Sequence, residues 1–455
     1  MSAEPRERDT ATQDLVLDAD PPAVSSGPDP GSPAAAGSAD AAGSASEEQA
    51  PERPLIKNRD FQALWSSEAF AAVAKETAEI AYPLLILATT GSALYAGVVG
   101  SAQLITASVM SIPGGTLADR VDRRLLLAGC NLVRVLLLAL FSVLIFTENT
   151  NMPIIFAIAV TSAVCFGLSQ PAGMAAIKAL VPPSQLTQAT AQNQIRYFGA
   201  TVAGPPIGGA LFAVARAFPY LAAALSFLIS TALLLLVRKP MQSEESRAAK
   251  EKGGTAEGFR FLFKQPILRP LIIWIMGSNM AFTHSGVFLA LIATAQGRGA
   301  SESFIGATLA VAGLGGLFGS LIAGWVFRKF KPSTIVLYGA WIGPVVAILL
   351  AITPGVVPLG IIVTLVFIRG PIISTLFLSY LAAVAPDKVQ GRVLGAVFFM
   401  SMSAAPIGVF LVGLVFDLAG STWVFITMCV ISGVAALPTL TKRIRTLPAP
   451  ETVAV

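Results

Sequence analysis

The stretch GGTLADRVDRR, residues 114–124, separates two apolar runs at about 95–117 and 125–146. Each run is as long as the roughly 20 residues that a helix needs to cross the hydrocarbon core of a bilayer. The stretch between them is short, polar and rich in arginine, as turns on the cytoplasmic side of a membrane are. The pattern predicts two transmembrane helices joined by a tight cytoplasmic turn.

The composition extends this prediction to the whole chain. Of its 455 residues, 54% are hydrophobic and only 13% are charged, and the mean hydropathy is +0.72. Soluble domains carry about 25% charged residues. We therefore predict an all-α integral membrane protein with twelve transmembrane helices. The predicted spans lie at about 61–88, 95–117, 125–146, 152–180, 187–215, 218–237, 268–294, 303–327, 333–351, 356–384, 391–417 and 421–440.

The two halves of the chain resemble each other. GPPIGGALF at 204–212 returns as AAPIGVFLV at 404–412, and the stretch at 114–124 has a weaker counterpart in GSLIAGWVFRK at 319–329. Six spans that return at one offset indicate a parallel duplication. The sequence therefore predicts two pseudo-symmetric six-helix bundles.

Composition also sets the predicted domain limits. Residues 1–54 are mostly Ala, Ser, Pro, Gly, Asp and Glu, which cannot bury a core, so we predict a disordered cytoplasmic tail. This tail has no apolar signal-peptide region. After it we predict an N-terminal bundle at 55–239, a cytoplasmic central loop at 240–266, a C-terminal bundle at 267–445 and a cytoplasmic tail at 446–455.

The basic residues predict the orientation in the membrane. Lys and Arg are frequent in the loops that share a side with the N-terminus, whereas the loops on the other side hold only Arg216 and Arg298. By the positive-inside rule, both termini are cytoplasmic. We expect a multi-pass protein of the cell membrane, surrounded by lipid and functional as a monomer.

Several functions are not supported by the residues present. The chain has one histidine, His284, and three cysteines, Cys130, Cys165 and Cys429, which sit in apolar runs without zinc or disulfide spacing. No P-loop sequence occurs, and no nucleophile–base pair is evident. We expect no enzyme activity, no cofactor, no metal and no nucleic-acid partner.

The turn at 114–124 is a candidate cytoplasmic gate. Gly114 and Gly115 would let helices approach closely, and an acid–arginine ion pair could hold the two halves together in one state. The alternative is a basic turn that merely obeys the positive-inside rule. The residues of this gate motif are Gly115, Asp119, Arg120, Arg123, Arg124 and, within span 3, Arg134.

Span 5 contains GATVAGPPIGGA at 199–210. Its prolines interrupt the helical hydrogen bonds, and its glycines permit tight contact with neighbouring helices. A kinked packing helix accounts for the pattern without any further role. The candidate residues of this span-5 motif are Arg196, Gly204, Pro205, Pro206, Gly208 and Gly209.

Together these features resemble the major facilitator superfamily, over roughly residues 55–440. NRDFQALW before span 1, TGSALYAG before span 2 and VQGRVLGA entering span 11 are similar to the branch of enterobactin exporters and macrolide-efflux-like permeases. The span-5 pattern resembles the superfamily's antiporter signature, which implies export. Asp122 stands where the broad pattern has Gly, and Gly324 replaces the acid of the second half.

Charged residues within span 1 are the main functional candidates. AAVAKETAEIAYPLL, residues 71–85, places Lys75, Glu76 and Glu79 at mid-membrane, with Glu68 nearer the cytoplasm. A charge there costs about 2.5–3.5 kcal/mol and faces a wet interior. Lys75 and Glu79 are spaced i,i+4 and could simply neutralise each other. We prefer Glu76 and then Glu79 as the proton carrier.

The resemblance implies that spans 1, 4, 7 and 10 line a central cavity, which adds Asn279, His284 and Arg369 as candidates. We expect the cations Arg134, Lys178 and Arg196 to snorkel to the cytoplasmic surface or to pair with Asp119. The predicted function is secondary active export of small amphipathic molecules, such as a drug, antibiotic or siderophore, by alternating access in exchange for protons. The alternatives are a proton-coupled uptake permease for a polar solute and a non-transporting membrane sensor.

Overall fold

The computed structural model describes residues 54–242, 256–385 and 387–448, and within these ranges it consists of helices without a strand. The predicted disordered tail at 1–54 lies outside the described residues except for Pro54. Parts of the predicted central loop and C-terminal tail also lie outside them.

The first half of the chain supplies six long helices. They are α1 (Arg59–Thr90), α2 (Ala93–Arg120), α3 (Arg123–Phe146), α4 (Met152–Leu180), α5 (Leu186–Val214) and α6 (Phe218–Leu235). Polar side chains begin three of them: Asn58, Asp122 and Asn151 each accept a hydrogen bond from a backbone N–H in the first turn of α1, α3 and α4. Such capping satisfies N–H groups that have no partner within the helix.

The second half contains two interrupted spans. Its helices are α7 (Ala256–Lys264), α8 (Leu268–Phe282), α9 (His284–Gly297), α10 (Glu302–Lys329), α11 (Pro332–Ile352), α12 (Val356–Val384), α13 (Asp387–Ser403), α14 (Ala405–Ala419), α15 (Ser421–Ala436) and α16 (Lys442–Arg445). The extended backbone of Thr283 (φ −60°, ψ 146°) separates α8 from α9, and Ala404 separates α13 from α14.

Among the described residues, eleven segments are long and apolar enough to cross a membrane, and the pairs α8–α9 and α13–α14 each form one of them. Helix α1 is not among the eleven although it has 32 residues. Its apolar character is interrupted by Lys75, Glu76 and Glu79. The charges that make α1 a functional candidate are therefore also the reason that it is not apolar enough to be counted as a membrane span.

Helices of each half pack mainly with one another. In the first half, α1 packs on α5 and α6, α3 on α6 and α4, and α2 on α4. In the second half, α10 packs on α12, and α15 packs on α8 and α11. Contacts between the halves involve α5 with α10, α2 with α14, and α9 with α1 and α2.

Two of these crossings depend on glycine. A Cβ on Gly209 would lie 3.0 Å from the Cα of Gly306, where α5 meets α10. A Cβ on Gly97 would lie 3.2 Å from the Cα of Gly413, where α2 meets α14. Backbones at these glycine crossings approach so closely that a side chain has no room.

Candidate functional site

A cavity of about 130 Å³ lies between the two halves of the chain. Helices α1, α2, α3, α4 and α6 form one side of it, and α9 and α14 form the other. One water needs about 10–15 Å³ by the same kind of measure, so the cavity has room for several. The charged residues on its wall are Lys75, Glu79 and Arg134, and most of the rest are apolar, including Tyr82, Leu104, Phe166, Phe227, Phe288, Leu289 and Val409.

Lys75 joins both acids at the centre of α1. Its Nζ donates to Glu76 Oε1 at 3.0 Å and to Glu79 Oε2 at 2.5 Å. The i,i+4 pair that the spacing suggested is therefore present. The side chains of Lys75 and Glu79 are 36% and 21% exposed and line the cavity, whereas Glu76 is 6% exposed and lies behind them.

The interruption at Thr283 brings the second half to these acids. It makes His284 and Ser285 the first two residues of α9. His284 Nε2 lies 3.1 Å from Glu76 Oε2, and Ser285 Oγ donates a short hydrogen bond to Glu79 Oε1. Glu76 and Glu79 therefore each have one partner in the opposite half. Lys75, Glu76, Glu79, His284 and Ser285 together form what we call the interhalf cluster.

Glu68 lies apart from the interhalf cluster and pairs with a residue of the span-5 motif. Arg196 Nη1 lies 3.4 Å from Glu68 Oε2 and donates to the backbone oxygen of Glu68 at 2.8 Å. Arg196 also donates to Asn193 Oδ1. These contacts tie α1 to α5 within the first half, and neither residue belongs to the cavity wall. The expectation that Arg196 would snorkel or pair with Asp119 is wrong, because its guanidinium binds Glu68 and Asn193 instead.

Two further cavity candidates serve instead to join helices of the second half. Arg369 donates to Ser278 Oγ at 2.6 Å and to the backbone oxygen of Gly339 at 3.1 Å. Asn279 donates to the backbone oxygen of Ser401 at 2.8 Å. Since these donors are occupied by neighbouring helices, Arg369 and Asn279 do not reach the wall of the described cavity.

The gate motif at 114–124 is organised around Arg123. Its side chain is 3% exposed, lies 3.5 Å from Asp119 and donates to the backbone oxygens of Ala118, Ala175 and Met241. These partners lie at positions 118–241, so Arg123 joins parts of the first half rather than the two halves. Arg120, by contrast, is exposed.

Both glycines of this motif were expected to permit close helix contact, but only Gly114 does so. A Cβ on Gly114 would lie 2.7 Å from the backbone oxygen of Gly167 in α4, whereas a Cβ on Gly115 would meet no atom within 4 Å. Arg124 Nε is buried without a hydrogen-bond partner.

Arg134 does not belong with the gate motif. It follows Arg123 by eleven residues, or about 16 Å along α3 at 1.5 Å per residue, so it lies deep in the membrane segment. It is 4% exposed and stands on the cavity wall, with its guanidinium carbon 5.0 Å and 5.8 Å from the ring centroids of Phe227 and Phe166. The prediction that Arg134 belongs to the gate motif is therefore wrong. Its depth in α3 and the direction of its side chain place it on the cavity wall.

The span-5 motif packs on helices from both halves. Gly204 and Gly208 face α1, where an added Cβ would collide with Glu76 and Ile80 respectively. Gly209 faces Gly306 of α10. Pro205 and Pro206 lie inside α5. The motif thus supports the helix that carries the acids and forms one of the two glycine crossings.

Sequence reasoning missed Ser285 and left Asp417 out of the candidate site residues. The position of Ser285 directly after the only histidine could have suggested it. Asp417 lies near the C-terminal end of α14. Its carboxylate accepts hydrogen bonds from the backbone N–H groups of Ala93 and Leu94 and from Ser92 Oγ, at the start of α2. The described residues contain no group of three His, Cys, Asp or Glu that could hold a metal.

Comparison with protein families gives one match over most of the chain. The family model described as Major Facilitator Superfamily matches residues 64–409. The multidrug efflux pump Tap of Mycolicibacterium fortuitum is 23% identical over 361 residues, which are 77% of this chain and 87% of that protein. Tap of Mycobacterium tuberculosis (strain ATCC 25618 / H37Rv) is 28% identical over 381 residues, 79% of this chain and 87% of that protein. The quinolone resistance protein NorA of Staphylococcus aureus (strain MRSA252) is 27% identical over 350 residues, 73% of this chain and 82% of that protein.

Solved structures with similar folds are more distant in sequence. The nucleoside transporter NupG superposes with a TM-score of 0.65 at 14% identity, over 84% of this chain and 98% of that one. A bacterial homologue of the iron transporter ferroportin, in an inward-facing state, superposes with a TM-score of 0.63 at 16% identity, over 86% of this chain and 100% of that one. These superpositions confirm the predicted fold class.

Proposed function

This chain belongs to the major facilitator superfamily, and from that premise we propose that it exports small amphipathic molecules by alternating access in exchange for protons. The direction is supported by the relatives, whose names describe multidrug efflux and quinolone resistance. The amphipathic cargo is supported by the cavity wall, which is mostly apolar but carries a few charged groups. Pockets of this kind hold the apolar body of a ligand and orient it by a few polar contacts.

The observation that carries the proposal is the Lys75–Glu79 pair on the wall of a cavity that both halves enclose. A carboxylate inside a membrane protein is expensive unless it has partners or water. Glu79 has both a partner in its own helix and, through Ser285, a partner in the opposite half. Glu79 is therefore positioned to respond to what occupies the cavity. We assign the proton to Glu79 rather than to Glu76, which the sequence favoured, because Glu79 lines the cavity and Glu76 does not.

Exchange follows from competition for one carboxylate. A proton that binds to an oxygen of Glu79 removes its negative charge and weakens its hydrogen bonds from Lys75 and Ser285. A cationic group of the cargo would bind to the same oxygens. Because proton and cargo each lower the affinity for the other, a proton that arrives from one side favours release of the cargo. This reciprocal coupling is the requirement for antiport.

Movement between the two access states would change the contacts between the halves. The interhalf cluster joins α1 to α9, and the glycine crossings join α2 to α14 and α5 to α10. In transporters built from two repeats, alternating access is largely rigid-body rocking of one repeat against the other. Protonation of Glu79 would loosen one of these contacts and so lower the barrier to rocking.

We further propose that the protein resides in the cell membrane with both termini in the cytoplasm, and that one copy is sufficient for transport. The orientation rests on the distribution of basic residues. A single chain supplies every wall of the cavity, which supports function as a monomer. The predicted bundle limits, at 55–239 and 267–445, belong to the same proposal.

Transport of ethidium by everted membrane vesicles tests the proposal. Respiring everted vesicles are acidic inside, so an exporter that takes protons in exchange accumulates the dye in the vesicle. We expect accumulation with the wild-type chain and its collapse when a protonophore is added. Vesicles with the Glu79→Gln variant provide the matched control, because the substitution preserves shape but removes the titrating group.

Other outcomes identify the rival functions. Dye that leaves preloaded, respiring everted vesicles together with protons, and that accumulates in respiring right-side-out vesicles, would indicate a proton-coupled uptake permease. The absence of transport in either orientation for a broad set of dyes and antibiotics would indicate a non-transporting membrane protein. Accumulation that persists with the protonophore would exclude proton coupling while it leaves export intact.

A further inference from the structure

Arg134 is a charged group on the cavity wall that the exchange on Glu79 does not use. It is 4% exposed, and its Nε and Nη2 atoms are buried without a hydrogen-bond partner. Within the described ranges, no carboxylate oxygen lies within 4.0 Å of its guanidinium. The cavity wall therefore carries a cation with two nitrogens, Nε and Nη2, that have no hydrogen-bond acceptor among the described residues.

A buried guanidinium with unpaired N–H groups is energetically costly, and a ligand that accepts hydrogen bonds from it would reduce that cost. Leaving a buried donor without a partner costs about 1–3 kcal/mol, and more when the group is charged. The rings of Phe166 and Phe227 contact the guanidinium and offset part of that cost by cation–π attraction. Rings provide no acceptor for the N–H groups, however, so the hydrogen-bonding capacity of the guanidinium remains available.

The geometry of arginine selects the ligand chemistry. The guanidinium presents its N–H groups as a rigid planar fork, which matches the two oxygens of a carboxylate. Snorkelling to the membrane surface does not account for Arg134, because its side chain is enclosed about three turns into α3. Arg134 instead lines the same cavity as Glu79.

The two charged sites are close enough for one small molecule. Lys75 Nζ and the guanidinium carbon of Arg134 both lie within 6 Å of the centroid of Phe166. They are therefore no more than about 12 Å apart, and Lys75, Glu79, Arg134 and Phe166 all line the same cavity. A flat amphipathic compound in that cavity could present a basic group to Glu79 and an acidic group to Arg134.

We propose that Arg134 binds a carboxylate of the cargo, so that the cavity prefers zwitterionic aromatic compounds over cations of the same shape. This inference rests on the proposed export function, which it deepens by naming a cargo class. It assigns Arg134 a binding role that is separate from proton exchange.

A matched pair of dyes tests the inference. Rhodamine B carries a free carboxylate, and rhodamine B ethyl ester is the corresponding monocation. Binding of each dye to the purified full-length chain in detergent is measured by fluorescence anisotropy. We expect Arg134→Gln to raise the Kd for rhodamine B about 10- to 100-fold, the loss associated with a charged hydrogen-bonded pair. The Kd for the ester should change by less than about threefold.

Two further variants complete the test. Arg134→Lys keeps the charge and loses the fork, and it should weaken rhodamine B binding to an intermediate degree. Lys178→Gln removes a positive charge from an exposed position of α4 and should change neither Kd. Size-exclusion chromatography and thermal unfolding report whether each variant is folded. If Arg134→Gln does not fold, the Arg134→Lys result decides, and wild-type affinity for rhodamine B in that variant overturns the inference.

Other results also overturn it, without touching the export proposal. Equal affinity of the wild type for both dyes would exclude a carboxylate subsite, as would an equal loss of both dyes in Arg134→Gln. Binding in detergent requires neither a proton gradient nor a direction of transport. A wild-type chain that binds as expected but does not accumulate dye in everted vesicles would refute export and leave the carboxylate subsite standing.

Discussion

The carboxylate of Asp417, in α14, accepts a hydrogen bond from the backbone N–H of Ala93, the first residue of α2, at 2.8 Å. Leu94 N–H, at 3.1 Å, and Ser92 Oγ donate to the same carboxylate. The side chain of one half thus caps a helix of the other. A negative charge at a helix N-terminus is favourable because unpaired N–H groups and the helix dipole point toward it. By the predicted orientation, this contact closes the outer end of the molecule.

Asp417→Asn should weaken this closure. The substitution keeps the shape of the side chain but removes the negative charge at the helix N-terminus, and we expect a loss of about 0.3–2 kcal/mol. That loss would shift the balance toward an outward-open state by about 2- to 30-fold. Spin labels at the exposed positions Tyr95 and Leu418, in a Cys429→Ser background, would report a new population at longer distance. Glu148→Gln, at an exposed loop position, is the control and should leave the distance distribution unchanged.

The two central acids of α1 should differ in their effects. Glu79 faces the cavity, so Glu79→Gln should reduce protonophore-sensitive ethidium accumulation at least about tenfold. Glu76 lies behind it between Lys75 and His284, so Glu76→Gln should lower the free energy of unfolding by about 1–3 kcal/mol and retain coupled accumulation. Initial transport rates and thermal unfolding in detergent separate the two. A variant set in which only Glu76→Gln stops pumping would contradict the role given to Glu79.

Gly204→Ala should destabilise the contact between α5 and α1. An added Cβ would lie 3.1 Å from the carbonyl carbon of Glu76 and would collide with its Cβ. Overpacking of this kind costs about 1–3 kcal/mol. Gly199→Ala, five residues earlier on the same helix, meets no atom within 4 Å and should be neutral or slightly stabilising. Unfolding of both variants in mixed detergent–SDS micelles gives the comparison, and equal stability would show that α1 moves aside freely.

Arg123 and Arg120 belong to the same motif but should respond differently to substitution. Arg123→Gln removes hydrogen bonds from a buried guanidinium to three backbone carbonyl groups, and we expect a loss of about 2–4 kcal/mol in unfolding free energy. Arg120 is exposed, so Arg120→Gln should change stability by no more than about 0.5 kcal/mol. The same micelle assay measures both. Similar losses would indicate that Arg120 has a partner in another conformation.

The helices and their class could be predicted from the sequence because hydropathy and chain length decide which segments enter a bilayer. The spacing of Lys75 and Glu79 also predicted their ion pair, since residues i and i+4 share a helix face. Contacts across the molecule could not be predicted in this way. The interruption at Thr283 carries no proline, yet it determines that Ser285 reaches Glu79.

Arg134 illustrates a second limit of sequence reasoning. Its position in α3 gives its depth, but a single charged residue in an apolar helix does not reveal which neighbour it faces. The competing explanations, snorkelling and pairing with Asp119, were both reasonable from the sequence. They fail because Phe166 and Phe227, from α4 and α6, converge on the guanidinium.

The glycine crossings at Gly97–Gly413 and Gly209–Gly306 should tolerate fewer substitutions during evolution than the wall of the cavity does. Under selection by toxic compounds, the apolar side chains of the cavity can be exchanged one at a time, and the range of compounds that cells survive can widen gradually. The crossings leave little room for such change. A Cβ on Gly209, Gly306 or Gly413 would lie no more than 2.6 Å from a backbone oxygen, and one on Gly97 would lie 3.0 Å from the backbone oxygen of Val409. Mutations that widen resistance should therefore accumulate in the cavity wall and should not occur at these four glycines.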